Sequence, residues 1–321
     1  MSFTDAKITR GADPREYNSV AQKRGAPDYP VSSSMLRAFA PCPARWLAGY
    51  EPPDTEAKAW GSLLDCYVLT PDAIDARYVL QPDTYSNEKG EVKPWNNNAT
   101  ACRDWRKGCG GRVIARREDV ANVEAARDRL LGDEILRAWH DASDKQVRVD
   151  GVWHDEATGL YIPTRCLIDY APRVDSEFAA CLGDLKTTRN ASPRPFARWC
   201  YTAGYHLQAA WNLDLWNTAT GEARDTFCLV LSENYPPWQT GRRMLSQDFI
   251  QLGRLAYRHA ISRYCRALAS ERWEGYDDSP EAVQGWLVVN PEPYMEFESA
   301  SSAMEADQAE ASAPFASEIP S

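Results

Sequence analysis

An α/β fold, with a mixed and mainly antiparallel sheet flanked by helices, is predicted from three observations. Two segments with apolar residues at helical spacing, 56–69 and 118–131, come first. Three strand candidates then crowd between 146 and 187, separated by turn residues. Helical patterns resume after them and alternate with short strand candidates to residue 272, an order that suits one sheet covered by helices.

Each element has a local cause. Residues 1–30 are polar and broken by Pro14, Pro27 and Pro30, so they read as an N-terminal arm. Ser32, Ser33 and Ser34 precede Met35-Leu36-Arg37-Ala38-Phe39, a capped helix start that Pro41 and Pro43 interrupt. Glu56 to Leu69 spaces Trp60, Leu63, Leu64, Tyr67 and Val68 as a helix does, and Pro71 ends it. The stretch 81–112, with Pro82, Pro94 and Gly108-Cys109-Gly110-Gly111, reads mostly as loop around a short helix. Glu118 to Leu131 has acids in its first turn and a stripe of Val120, Val123, Ala126 and Leu130.

From Gln146 to Trp153 the residues alternate as a half-buried strand should, and 155–159 supplies a turn. Leu160 to Tyr170 and Glu177 to Thr187 are two further strands, followed by one long helix from about Pro195 to Trp216. Strands at 226–231 and 242–245 and a helix over 246–272 complete a single domain expected to span 31–297. The last 24 residues, 298–321, hold five acids and no Lys or Arg, and read as a disordered acidic Ala/Ser-rich tail.

Composition sets outer bounds. The 321 residues are 44% hydrophobic and 26% charged, which is globular. No repeat of solenoid length, no apolar run of membrane-spanning length and no signal pattern is visible, so the expected location is cytoplasmic, without a membrane partner. The nine cysteines include no C-x-x-C pair, which argues against zinc or iron–sulfur sites and for reduced, buried thiols. A net charge of -10 opposes a polyanionic partner at first sight. Between Cys102 and Arg117, however, Arg103, Arg106, Lys107, Arg112, Arg116 and Arg117 face one Asp104, so a basic patch on an acidic body remains open. Trp95 and Trp105 beside these arginines could stack on bases, or the stretch could be a solvated basic loop.

The chemistry concentrates in Leu167-Ile168-Asp169-Tyr170 and Leu182-Gly183-Asp184-Leu185-Lys186-Thr187-Thr188. Each puts an acid directly after an apolar run, where an unpartnered carboxylate would be costly to bury. Two strands joined by a turn can bring Asp169 and Asp184 together, and Asp184 and Lys186 share a face. Carboxylates plus the main-chain carbonyl of Leu185 form a partial shell for a hard divalent cation completed by water and phosphate. Such a cation polarises a phosphoryl group, and Lys186 could orient water and offset transition-state charge. A buried Asp184–Lys186 pair with no catalytic task fits the same short pattern.

The wider constellation resembles a known family. Asp169, then Asp184-Leu185-Lys186, matches the D…(D/E)-x-K signature of restriction-endonuclease-like nucleases. The run Arg165 to Asp169, Gly183 to Thr188 and Tyr205 to Ala210 is similar to exodeoxyribonuclease VIII and the phage alkaline exonucleases of the lambda type. Ser32 to Phe39 resembles that family's opening helix, and Gly61-Ser62-Leu63-Leu64-Asp65 its G-x-x-x-H element, with Asp65 where the family has His. The likeness spans roughly residues 32–232.

This resemblance implies a restriction-endonuclease-like core and a 5′-to-3′ exonuclease acting on double-stranded DNA ends, releasing 5′-mononucleotides and leaving a 3′ overhang for phage-type recombination. It implies two magnesium ions per site, with manganese able to substitute, held by Asp169, Asp184, the Leu185 carbonyl and, in place of His, Asp65. Gln208 would help hold the nucleophile or the phosphate. Ser32, Ser34, Arg165, Thr187, Thr188 and Tyr205 are the candidate substrate contacts. Ser32 and Ser34 could equally be caps, Thr187 and Thr188 could serve packing alone, and Arg165 could pair with Glu177 or Asp184. The implied partners are a homo-oligomeric ring, a trimer ahead of a tetramer, and a single-strand annealing recombinase, which the acidic tail could dock. A weakened DNA-binding or assembly protein of the same fold, or an endonuclease of that fold, are the alternatives.

Overall fold

The computed structural model describes residues 2–51, 53, 55–278 and 286. The expected acidic tail, and the end of the expected domain beyond 278 apart from Trp286, lie outside the described residues. In chain order the elements are β1 (Ser2–Thr9), α1 (Pro14–Asn18), α2 (Ser33–Phe39), α3 (Pro43–Leu47), α4 (Glu56–Leu69), α5 (Ile74–Arg77), β2 (Tyr78–Leu80), β3 (Thr84–Ser86), β4 (Val92–Pro94), α6 (Thr100–Lys107) and β5 (Val113–Ala115). Then follow α7 (Arg117–Leu131), α8 (Glu134–Ala142), β6 (Ser143–Asp155), β7 (Leu160–Pro172), β8 (Cys181–Thr188), α9 (Pro193–Thr202), α10 (Tyr205–Thr220), β9 (Thr226–Glu233), β10 (Thr240–Met244) and α11 (Gln247–Ser270). The chain divides into two units, Met1–Trp273 and Glu274–Ser321; the fold described below is that of the first.

Six strands form one sheet in the order β1-β6-β7-β8-β9-β10. All neighbours are antiparallel except β8 and β9, which run parallel and are joined through α9 and α10, as a parallel pair requires. The sheet is therefore mixed and mainly antiparallel, with helices on both faces, as the sequence predicts. On one face α10 and α11 bury Phe3, Trp153, Trp211 and Tyr257 against the strands. On the other, α4, α7 and α8 bury Leu64, Val123, Leu130 and Trp139 against Tyr170, Leu185 and Val230. Two glycines permit these approaches. A Cβ on Gly253 would overlap the carbonyl oxygen of His206, and one on Gly183 would lie 2.8 Å from Cζ2 of Trp139.

Several expectations need correction. The N-terminal arm contains β1, which pairs with β6 and buries Phe3; its alternating polar residues face outward and hid the strand. The single helix expected over 195–216 is two, because Gly204 takes φ 70°, a left-handed conformation that ends one helix and caps the next. The 81–112 region holds the hairpin β3–β4 beside the expected short helix. The strand expected from Glu177 starts at Cys181, and α8 was not anticipated. All nine cysteines are free and seven are buried, as expected. Among the described residues no helix is long and apolar enough to cross a membrane.

Candidate active site

The site forms where β7 and β8 part. Their described ladder pairs Tyr170 with Gly183, and beyond it Leu185 N–H donates to Asp169 Oδ2 at 2.8 Å instead of to a strand carbonyl. The carboxylate of Asp169 thus stands in for a missing ladder acceptor and is fixed by the main chain. Its other oxygen accepts from Gln146 Nε2 at 2.9 Å. Gln146 lies on β6 with φ 51°, a strained conformation for a non-glycine residue, and its Oε1 is buried without a partner. The sequence reading missed Gln146, whose place in an alternating strand gave no hint of the left-handed backbone that aims it at Asp169.

Asp184 is buried at 3% exposure and accepts from Gln208 Nε2 at 2.9 Å through Oδ1. Its Oδ2 pairs with Lys186 Nζ. The lysine also sits 4.9 Å from the centroid of the Tyr205 ring. Burial works against its charge, but Asp184, Tyr205 and Asp169 outweigh that and raise its pKa. Lys186 is therefore a fixed cation, suited to orienting water and offsetting negative charge. On α10, Tyr205 and Gln208 occupy one face as the i, i+3 spacing predicts, while Asn212 at i+7 is wholly buried.

Asp65 on α4 joins the same electrostatic neighbourhood. Burial, reinforced by Asp184 and opposed by Lys186, pushes its carboxyl up to about 7. Burial also holds Asp169 well above the carboxylate range, with Asp184 and Asp65 adding to it. Helix α4 reaches this position because Gly61 lets it approach β8: a Cβ there would lie 3.0 Å from Thr187 Oγ1. The Gly61-to-Asp65 element is thus one device, with the glycine setting the distance that brings the acid in.

Three carboxylates influence one another around one lysine, so acid charge is in excess at a site where Asp184 is buried and Asp65 and Asp169 are half-buried. All are hard oxygen donors, which suits magnesium or a similar divalent cation. Among the described residues no group of three or more His, Cys, Asp or Glu could by itself hold an ion. A cation would draw its remaining ligands from the main chain, water and phosphate, the habit of magnesium. The residues fit such an ion on these terms.

Asp65, Asp169 and Gln146 open onto a cleft of about 330 Å³ that Arg15, Arg77 and Arg112 also line. Arg112 belongs to the basic stretch, whereas Arg15 and Arg77 come from segments the sequence reading passed over. Arg77 is held by Asp13 at 3.3 Å and Thr70 Oγ1 at 3.1 Å. Trp95 and Trp105 pack edge-to-face on each other at 5.2 Å.

The other candidate contacts are dispersed. Arg165 is 7% exposed and, among the described residues, pairs with neither Glu177 nor Asp184; its guanidinium lies 4.5 Å from the Tyr17 ring centroid, and its Nε is buried without a partner. Ser32 caps α2, accepting from Met35 N–H at 3.2 Å, with Ser34 Oγ 3.0 Å away. Val31 bridges Thr164, so Ser32 abuts β7 near Arg165, four residues and about 13 Å along the strand from Asp169. Thr188 Oγ1 closes a turn by accepting from Asn190 N–H. Thr187 and Tyr205 line a second cleft of about 630 Å³.

Comparison with protein families matches residues 32–284 to the family described as PDDEXK-like domain of unknown function (DUF3799). Comparison with curated proteins finds no match. Among solved structures, a protein of Eubacterium rectale described as a "putative exonuclease" is similar at 15% identity and TM-score 0.53, covering 90% of this chain and 98% of its own. A second structure, of SSO0001, aligns at 13% identity over 80% of this chain and 82% of its own, but its TM-score of 0.31 carries no argument.

Proposed function

Because the chain belongs to the family of PDDEXK-like domains (DUF3799), we propose that it is a magnesium-dependent exodeoxyribonuclease working 5′ to 3′ on one strand of linear double-stranded DNA. The family and the fold carry the coarser statement: a nuclease of the PD-(D/E)xK superfamily, hydrolysing phosphodiesters through a restriction-endonuclease-like core. The observation that supports the finer reading is the convergence of Asp169, Asp184, Lys186 and Gln208 beside an arginine-rimmed cleft.

The chemistry divides among the residues. Asp169, Asp184 and the Leu185 carbonyl, with Asp65 in the place of the related nucleases' histidine, would hold magnesium, which polarises the phosphoryl group when bound. Gln146 and the Leu185 N–H orient Asp169, and Gln208 orients Asp184. Lys186 orients the attacking water and offsets charge gathering on the phosphoryl oxygens. Water attack breaks the bond between phosphorus and the 3′ oxygen, which takes up a proton from solvent and leaves as the 3′ hydroxyl of the released 5′-mononucleotide. The attacked phosphate stays as the new 5′ end of the shortened strand. Ser32, Ser34 and Arg165, brought near one another by the bridge between Val31 and Thr164, are our candidates for gripping a terminal phosphate. A homo-oligomeric ring, trimeric or tetrameric, would give processivity by enclosing the duplex, and a single-strand annealing recombinase would take the 3′ overhang.

The test uses purified protein with linear and covalently closed circular duplex of equal length. Mononucleotide release from the linear form in magnesium, none in EDTA and none from circles is expected. Circles cut as fast as linear DNA would replace the exonuclease reading with an endonuclease.

A further inference from the structure

The second cleft, framed by α4, β8 and α9, is not used by the chemistry above. We propose that it is a stacking site for an unpaired nucleobase of the strand being cut, with Trp199 as the platform and Arg189 contacting the adjoining phosphate. The proposal rests on the nuclease reading and extends it to how the substrate strand is held.

Size comes first. At about 630 Å³ the cleft falls inside the range of small-ligand sites, roughly 300–1,000 Å³, and admits a base with its sugar. Trp199 is 41% exposed, so its ring presents open surface to the cleft. It is also held in place, packing at 85° on Tyr205 at 5.3 Å and on Phe196 at 6.2 Å. A rigid, half-open indole is a sequence-tolerant platform for any base.

Charge points the same way. The chain carries 46 acids and a net charge of -10, yet among the described residues those lining this cleft include Lys58 and Arg189 and no Asp or Glu. The clefts beside it and on the Asp65 side both include acids. Asn190 and Asn234 add amide groups able to meet base edges, and Asn234 is anchored by its N–H to Thr188 O at 3.1 Å.

Position ties the cleft to the reaction. Trp199 packs on Tyr205, and Lys186 Nζ lies 4.9 Å from the centroid of that same ring. One aromatic ring thus separates the stacked base from the lysine at the scissile phosphate. A base stacked within the duplex offers neither face to Trp199, so occupancy requires the nucleotide next to the cut to leave the duplex stack. A free mononucleotide has the same chemistry, and the experiment separates the two.

Duplexes carrying 2-aminopurine at successive positions from the 5′ end are mixed with full-length protein in EDTA, where no cutting occurs. Wild type is expected to change the fluorescence at one or two positions, Trp199→Phe to keep most of that change, and Trp199→Ala to lose it. In magnesium, Trp199→Ala should raise KM for linear duplex about tenfold with kcat within about twofold, the mark of lost ground-state binding. Arg189→Ala should lower the slope of log affinity against log salt by about one. An unchanged fluorescence response in Trp199→Ala overturns the proposal, and a free 2-aminopurine mononucleotide responding as strongly as the duplex reassigns the cleft to product. Normal hydrolysis without Trp199 dependence sinks this site alone. A Trp199-dependent response without any hydrolysis by wild type sinks the nuclease reading and leaves the base site standing.

Discussion

Asp65 is half-buried on α4, where burial and Asp184 push its carboxyl to about 7 from an ordinary 3.8 while Lys186 pulls the other way. The folded pKa is raised, so the folded state binds the proton more tightly than the unfolded chain does. Ionisation then costs stability as pH rises above about 4, and the cost is fully present above about 7. A gap of roughly three pH units corresponds to about 4 kcal/mol at full strength. Solvent entering the neighbouring cleft screens the charge and reduces this to about 2 kcal/mol. Asp65→Asn keeps the shape and removes the ionisation. In EDTA it should therefore raise Tm by about 4 °C or more at pH 8 and by little at pH 4. Thermal melts at pH 4, 6 and 8 read this directly. An equal gain at all three values, or a loss at pH 8, would refute the reasoning. The same variant, assayed with magnesium at pH 8, should lose nuclease activity if Asp65 fills the position of the related nucleases' histidine.

Gln208→Leu removes the donor to Asp184 Oδ1 at near-constant volume, and should lower cleavage about 10- to 100-fold with an unchanged circular dichroism spectrum. Gly253→Ala drives a methyl into the His206 carbonyl and to 2.9 Å from Ala210 Cβ, so urea unfolding should show a loss of about 3 kcal/mol or more. His140 is held down to about 4 by burial and Lys145, a depressed folded pKa, so stability falls as pH drops from about 6.5 toward 4. His140→Asn should flatten that part of the stability–pH curve, measured by urea titration at fixed pH steps.

What the sequence made legible follows from which signals are local. The hairpin of β6 and β7 could be read because alternation and the 155–159 turn lie within one window, and α4 because its apolar spacing is unbroken. Strand β1 could not, since it is stabilised by pairing with β6 about 145 residues away and buries little more than Phe3. Gly204 looked like any helical glycine until its left-handed backbone and the Arg37 side chain packed over it were visible. In the site, Asp169, Asp184, Lys186 and Gln208 were found from spacing and resemblance, and the structure brings them together. Gln146 and Tyr17 went unnoticed because each acts through a single side-chain contact with no sequence pattern. Arg165 was expected at a phosphate or an acid; stacking on Tyr17 could not be read from a segment taken as a featureless arm.

The central claim is that Asp184 and Lys186 act together in hydrolysing DNA. Its most direct test compares wild type, Asp184→Ala and Lys186→Ala on linear duplex in magnesium, each checked for folding by thermal melt. Rapid mononucleotide release by wild type is expected, with a loss of about a thousandfold, the order of magnitude typical of lost charge stabilisation, in both folded variants. Full activity in either folded variant would contradict it, and no activity in any of the three would leave a DNA-binding or assembly protein on a nuclease fold.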